Sequence, residues 1–212
     1  MSIACPAARY GDGDSLVRLQ TRMDYQLFQL INRHAGQTPI LDAIMRLLVS
    51  DYLLSTAISL MGAGLWFAGA TPAERQPNQR ATLQAGVSLL LANALVKLAN
   101  LVYFRPRPFV THEVNLLFYR PSDSSLPSNP AAAGFALAVA VWLTHRRVGV
   151  TMLALATVWS LARIYCGVHY PLDVITGAAV GSLAAYLIVR RAPMLNRVYD
   201  WLIGLGERLF LK

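Results

Sequence analysis

Charge is what this sequence is short of. Only 14% of its 212 residues are charged and 55% are hydrophobic, whereas an ordinary soluble domain carries about a quarter charged. Much of the surface must therefore face something other than water. Acidic residues are the scarcer sign, with 11 Asp and Glu against 19 Lys and Arg and a formal net charge of +8. On a nucleic-acid binder such an excess would build a basic face. Here the basic residues gather at the ends of apolar runs, as they do beside a bilayer, so no nucleic-acid partner is expected. Cysteine is nearly missing: Cys5 and Cys166 form neither a disulfide framework nor a metal-binding spacing. The opening MSIACPAARYGDGDS has no basic stretch followed by an apolar core, so a cleaved signal peptide is not expected and membrane entry rests on internal helices. There is no internal repeat, low-complexity tract or linker, and the chain reads as one unit over 1–212.

What is present are long apolar runs. A membrane span takes about 20 mostly apolar residues, and runs at 52–69, 82–104, 131–144, 148–164 and 172–189 fit, the third being short. Gly177, Ala178, Ala179, Gly181, Ala184 and Ala185 allow close helix packing in the last. Segments 24–32 and 40–50 are amphipathic, with Gly36 and Pro39 between them, and read as interfacial helices or as one extra span. Segment 199–212 is similar, with Trp201, Leu202, Leu205 and Leu209 on one side and Arg208 and Lys212 opposite. The expected fold is all-α: an integral membrane helical bundle of about five to six transmembrane helices plus short interfacial helices. Its parts are a polar segment 1–23, interfacial helices 24–50, a core bundle 52–190 and an amphipathic helix 199–212.

If five runs each cross once, loops 70–81 and 145–147 and the tail after Val189 share one side. That side holds Arg75, Arg80, Arg146, Arg147, Arg190, Arg191 and Arg197, which the positive-inside rule makes cytoplasmic. Loops 105–130 and 165–171 then meet at the outer face, periplasmic in a Gram-negative bacterium. The N-terminus lies outside with five spans and inside with six.

Three polar clusters sit at span ends on that outer face: KLANLVYFRPRPF (97–109), SSLPSNPAAAG (124–134) and RIYCGVHYPLD (163–173). In the third, His169 and Asp173 stand four apart and Arg163 precedes His169 by six. A carboxylate can hold one imidazole nitrogen and leave the other free to attack, and a fixed guanidinium can grip two phosphate oxygens. In the first, Arg105 and Arg107 each precede a proline that ends the span. Lys97 lies two turns inside the apolar run, where a charge is costly; it either snorkels outward or neutralises a bound phosphate. In the second, Ser128 or Asn129 suits the helix N-cap and Pro130 the first turn, where free N–H groups attract phosphate. His34 and His145 fall outside the clusters.

These clusters, in this order, resemble those of the type-2 phosphatidic acid phosphatase superfamily, and RPRPFVTHEVNLL, SSLPSNPAAAGFA and ARIYCGVHYPLD are most similar to its undecaprenyl pyrophosphate phosphatase branch. The resemblance runs from about Asp24 to Arg190. It implies a helical bundle without metal or other cofactor, acting on a polyprenyl or glycerolipid phosphate among membrane lipids. It implies His169 as a nucleophile forming a phosphohistidine, oriented by Asp173. Arg163, Arg105 or Arg107, and the backbone around Ser128 and Asn129 would hold the phosphate. The chain departs from the pattern in three places. Six residues separate the pattern's lysine from Arg-Pro; counting back from Arg107 that position is Asn100, while seven residues separate Lys97 from Arg105. The serine before the third-cluster arginine is Ala162. The second motif's terminal histidine, the general acid, is Pro130. The fold is expected to survive that last change while turnover falls, with His112, Glu113 or Asp123 as candidate substitutes. The expected function is hydrolysis of undecaprenyl pyrophosphate at the outer face of a bacterial inner membrane. A lipid-phosphate-binding pseudoenzyme and a lipid phosphotransferase of the same fold are the alternatives. A transporter fits poorly, because the polar clusters sit at helix ends rather than at the midplane of repeated halves.

Overall fold

The computed structural model describes residues 15–210, with side chains over 22–205. Cys5 and the rest of 1–14 lie outside the described residues, as do 211–212. Among the described residues every regular element is helical: α1 (Ser15–Asn32), α2 (Pro39–Leu48), α3 (Leu53–Gly64, continued by a 3-10 turn, Leu65–Phe67), α4 (Pro72–Val102), α5 (Pro108–Thr111), α6 (Asn129–Thr144), α7 (Arg146–Tyr165), α8 (Pro171–Tyr186, continued by a π turn, Leu187–Arg191) and α9 (Leu195–Phe210). The expected all-α class is what is observed.

Each apolar run became a helix, and the boundaries moved where capping overrode hydropathy. α4 begins at Pro72, inside the stretch expected as a loop, because Thr71 accepts a hydrogen bond from the Glu74 N–H and Pro72 takes the first helical position. Its 31 residues run about 46 Å at 1.5 Å each, longer than a hydrocarbon core of about 30 Å. α1 starts at Ser15 rather than near Asp24: the Leu, Arg and Gln residues of 15–22 are good helix formers, so the helix propagates through a polar stretch. α9 likewise begins at Leu195.

α4, α7 and the 171–191 helix are each long and apolar enough to cross a membrane; α2 and α3 pass together, bent by 47°. α6 is apolar but has only 16 residues. The apolar helices run alternately between two ends. At one end Thr82 of α4 donates to the Gly62 carbonyl of α3, and Arg190 reaches the Leu143 carbonyl near the end of α6. At the other, Arg163 at the end of α7 meets Asp51 before α3, and Ser125 before α6 meets Asp173 in α8. α1 sits at this second end. Leu60, Phe67, Leu90, Leu101, Ile175 and Leu183 are all exposed, a surface that water does not favour but lipid does.

α6 is the centre, packed on α4, α7 and α8, and its alanines are the reason. Ala131, Ala132, Ala136, Ala138 and Ala140 are buried and let neighbouring backbones come close. The tightest approach is to α8. A Cβ on Gly177 would lie 2.4 Å from the Ser128 carbonyl oxygen, and one on Gly181 would lie 2.2 Å from that of Ala132. Both positions therefore need glycine, and the contact fixes the start of α6 against the first turns of α8.

Candidate active site

The third sequence cluster folds as a tight corner between α7 and α8. α7 ends at a glycine: Gly167 has φ +82, its N–H donates to the Ile164 carbonyl, and the Val168 N–H donates to that of Arg163. This pair of bonds satisfies the last carbonyls and reverses the chain. Tyr170 then caps α8, with Pro171 first in the helix and the Asp173 carboxylate accepting the Tyr170 N–H at 2.8 Å. Two residues after the glycine, one before the cap, His169 is driven inward and is 1% exposed.

Its two ring nitrogens meet different partners. Nδ1 lies 3.0 Å from the Ser125 carbonyl oxygen. An oxygen that only accepts requires Nδ1–H, which leaves Nε2 unprotonated. The Asp173 carboxylate stands 3.7 Å from Nδ1 and is joined to it through the Ser125 hydroxyl, which donates to Asp173 Oδ2 and lies 3.5 Å from Nδ1. Asp173 is thus next to the imidazole, as its spacing suggested, but the direct Nδ1 partner is a backbone carbonyl that no spacing announced. Burial holds the His169 imidazole below its ordinary pKa; Asp173 opposes this, while the charges of Arg107 and Arg163 add to it.

Nε2 faces Arg107. The guanidinium Nη1 is 3.2 Å away and also donates to the Val168 carbonyl at 2.9 Å; Nη2 and Nε bond the carboxylate and carbonyl of Asp123 at 2.9 and 3.2 Å. An anion approaching Nε2 meets this guanidinium first. Arg163 is buried, donates to Asp51 and has its guanidinium over the rings of Phe118 and Trp159, while among the described residues its Nε has no hydrogen-bond partner. Ser128 caps α6; its hydroxyl is buried and unpartnered, and its N–H donates to the Asp173 carbonyl at 2.9 Å. Unsatisfied donors such as these, one at a helix start and one on a guanidinium, are groups that can bind a phosphate.

Not every expected residue joins this group. Arg105 is tied to carboxylates instead: Nη1 bonds Asp173 and Nη2 bonds Asp24, each at 2.6 Å, with its face on the Tyr170 ring at 4.3 Å. Burial works against its charge, but the two carboxylates outweigh that and hold its pKa above the usual arginine value. Of the two arginines expected at the phosphate, Arg107 is the one beside His169 Nε2. Lys97 is exposed on α4 beside Leu98 and Leu101, and among the described residues it has no ion pair. Asn129 is exposed at the start of α6, and Pro130 is half-buried in the first turn. Of the candidate substitutes for the acid, Glu113 is exposed. His112 is stacked on Tyr25 at 3.8 Å, with Nδ1 at 2.8 Å from the Thr111 hydroxyl and 3.1 Å from that of Tyr170. Asp123 is 58% exposed and tied to Arg107. Among the described residues no group of three or more His, Cys, Asp or Glu is placed to hold a metal ion. Sequence reading missed Ser125, Asp24 and Asp51, each far along the chain from the residue it contacts.

A buried imidazole with one nitrogen fixed and the other turned to a guanidinium, on a helical bundle with apolar outer faces, is an arrangement suited to phosphoryl transfer. The PAP2 superfamily model matches residues 81–197, and the chain belongs to that superfamily. It is 28% identical over 190 residues to the undecaprenyl-diphosphatase BcrC of Bacillus subtilis (strain 168), covering 90% of this chain and 95% of that protein. Among solved structures, it resembles LpxE of Aquifex aeolicus with a TM-score of 0.60 at 28% identity, over 79% of this chain and 95% of that one. The first transmembrane PAP2 type phosphatidylglycerolphosphate phosphatase from Bacillus subtilis shares the fold with a TM-score of 0.56 at 21% identity, over 84% and 88% of the two chains.

Proposed function

We propose that this chain hydrolyses the terminal phosphate of a membrane-borne lipid diphosphate, with undecaprenyl diphosphate the favoured substrate and undecaprenyl phosphate and inorganic phosphate the products. The observation that carries the reading is His169: Nδ1 is held by Ser125 while Nε2 is turned toward Arg107. The likeness to an undecaprenyl-diphosphatase over 90% of the chain supports the substrate.

In the first step the Nε2 lone pair attacks the terminal phosphorus. The N–P bond forms as the bond to the bridging oxygen breaks, and the lipid leaves as its monophosphate. Arg107 and Arg163 neutralise charge on the transferring group, and Asp173 with Ser125 keeps the imidazole oriented as it becomes positive. Water then attacks the phosphohistidine phosphorus, the N–P bond breaks, inorganic phosphate departs and Nε2 regains its lone pair. Pro130 offers no proton to the leaving oxygen. A phosphate monoester carries negative charge readily near neutral pH, so an anhydride can be cleaved without that proton, whereas an alkoxide leaves poorly. This favours a diphosphate over a monophosphate substrate and implies a turnover below that of an enzyme with the acid. The arginines at the opposite ends of the helices (Arg146, Arg147, Arg190, Arg191) support an active site on the outer, periplasmic side of a bacterial inner membrane.

The test is phosphate release from undecaprenyl diphosphate in detergent, with trapping of an acid-labile phosphoenzyme. Activity that His169→Ala abolishes supports the proposal. Binding of the lipid diphosphate with no release and no phosphoenzyme would instead establish a lipid-phosphate-binding pseudoenzyme, the alternative that Pro130 raises. Phosphorylated lipid acceptors in place of free phosphate would mark a phosphotransferase.

A further inference from the structure

Upstream of the core bundle, α1 reaches into the site with a buried carboxylate. Asp24 Oδ2 accepts from Arg105 at 2.6 Å, and Oδ1 accepts the Leu172 N–H, in the first turn of α8, at 2.9 Å. Arg105 passes the contact on to Asp173 Oδ1 at 2.6 Å. The other oxygen of Asp173 takes the Ser125 hydroxyl and the Tyr170 N–H, and Ser125 in turn holds His169 Nδ1. A run of contacts thus links α1 to the imidazole: charge-assisted bonds lead from Asp24 through Arg105 and Asp173 to the Ser125 hydroxyl, and the Ser125 backbone carbonyl holds Nδ1. Its members are buried or nearly so: side-chain exposure is 5% at Asp24, 13% at Arg105 and 0% at Asp173.

Arg105 sits between two carboxylates, so neither acid alone sets its position. Without Asp24 its guanidinium would swing toward Asp173 alone or toward the anion pocket, and Asp173 would lose the fixed partner on Oδ1. We propose that Asp24 is a positioning residue for phosphoryl transfer: by holding Arg105 against Asp173, it lets the docking of α1 set the orientation of His169. The inference rests on the phosphatase reading above. Its consequence is specific, because Arg107 and Arg163, which meet the phosphate, are not in this chain of bonds. Loss of Asp24 therefore slows the chemical step without weakening substrate capture.

A second anchor of α1 separates this from a general docking effect. Asn32 donates to the Asn115 and Tyr165 carbonyls at 2.9 and 2.8 Å and accepts the Asn115 N–H at 3.0 Å, and it touches neither Arg105 nor Asp173. The experiment is single-turnover phosphorylation of the detergent-solubilised chain by farnesyl diphosphate radiolabelled on the terminal phosphate, quenched over time at a series of concentrations. Asp24→Asn keeps the shape and an acceptor for the Leu172 N–H but removes the charge. It is expected to lower the maximal phosphorylation rate about 10- to 100-fold, by analogy with the loss of a hydrogen-bond partner that orients a metal-ligating imidazole, with an unchanged half-saturation concentration. Arg105→Lys, which cannot bridge both acids, is expected to give the same drop. Combining the two should cost no more than Arg105→Lys alone, since both break one chain. Asn32→Ala is expected to lower thermal stability and leave the maximal rate in place. The proposal is overturned if Arg105→Lys keeps the full rate, if the effects multiply, if half-saturation rises in step with the loss, or if Asn32→Ala slows phosphorylation as much as Asp24→Asn. Neither phosphoenzyme nor released phosphate from the unsubstituted folded chain would sink the phosphatase reading and this proposal together. Phosphoenzyme formed at equal rates with and without Asp24 would sink this proposal alone.

Discussion

Changing Pro130 to histidine separates leaving groups by their chemistry. Pro130 is the second residue of α6, where a backbone N–H has no helical partner, so histidine fits the position without disturbing a bond. Removing a proline from a compatible site costs about 0.4–1 kcal/mol through the unfolded chain, small against a typical stability of about 5–15 kcal/mol. The fold should persist, with the new imidazole in the turn that follows the Ser128 cap. A positioned general acid is worth about 10²–10⁴-fold, or about 3–5 kcal/mol of barrier at roughly 1.4 kcal/mol per decade. The full value applies when the leaving oxygen is an alkoxide, as in a lipid monophosphate. Little of it applies to a diphosphate, whose leaving group is already a stable anion. Pro130→His should therefore raise phosphate release from farnesyl monophosphate by at least about 100-fold, and from farnesyl diphosphate by less than about tenfold. The assay is inorganic phosphate release from the matched pair in one detergent, with His169→Ala as the blank. Equal gains on both substrates, or no gain on the monophosphate, would refute the reasoning.

Other outcomes follow from the same geometry. Burial, reinforced by Arg107, holds His169 below its ordinary value, so the neutral nucleophile survives below pH of about 6.5 and the acid limb of kcat/KM should lie below that. Arg107→Gln removes one opposing charge and should move the limb to higher pH while lowering the rate, as a pH–rate profile would show. With the folded value under the unfolded one, stability tied to His169 is present above pH of about 6.5 and declines as pH falls toward the folded value; a urea series at two pH values reads it. Gly177→Ala drives a Cβ to 2.4 Å from the Ser128 carbonyl; overpacking of this kind costs about 1–3 kcal/mol, and Tm and activity should fall together. Burial pushes the Cys166 thiol up to about 12, so in a Cys5→Ser background the folded chain should resist maleimide labelling, checked by mass spectrometry.

The parts of the site legible in the sequence were those set by local rules. The Gly167 reversal and the Pro171 start of α8 lie within a few residues of His169 and Asp173, so spacing alone brought imidazole and carboxylate together. Arg105 and Arg107 stand two apart in nearly identical Arg-Pro contexts, and only their distant partners distinguish them: Asp24 and Asp173 for one, Asp123 and the Val168 carbonyl for the other. Ser125 holds Nδ1 by its carbonyl, a contact that any residue type could make and that composition therefore hides. For Lys97 the sequence left snorkelling and phosphate neutralisation both open, because hydropathy does not say which side of a helix faces the bundle. The spans were legible for the opposite reason, since burial in lipid acts on every side chain of a run at once.

Asp173 closes the start of α8, receives Ser125 from the loop before α6 and ties down Arg105. Position 130 does none of these things for the scaffold. The two sites should therefore tolerate mutation very differently: under the proposed reading, drift at 130 changes the rate and the leaving groups accepted, while drift at 173 dismantles the rim. A lineage of such chains could retune its substrate range at 130 again and again, and still present a well-folded protein to the membrane each time.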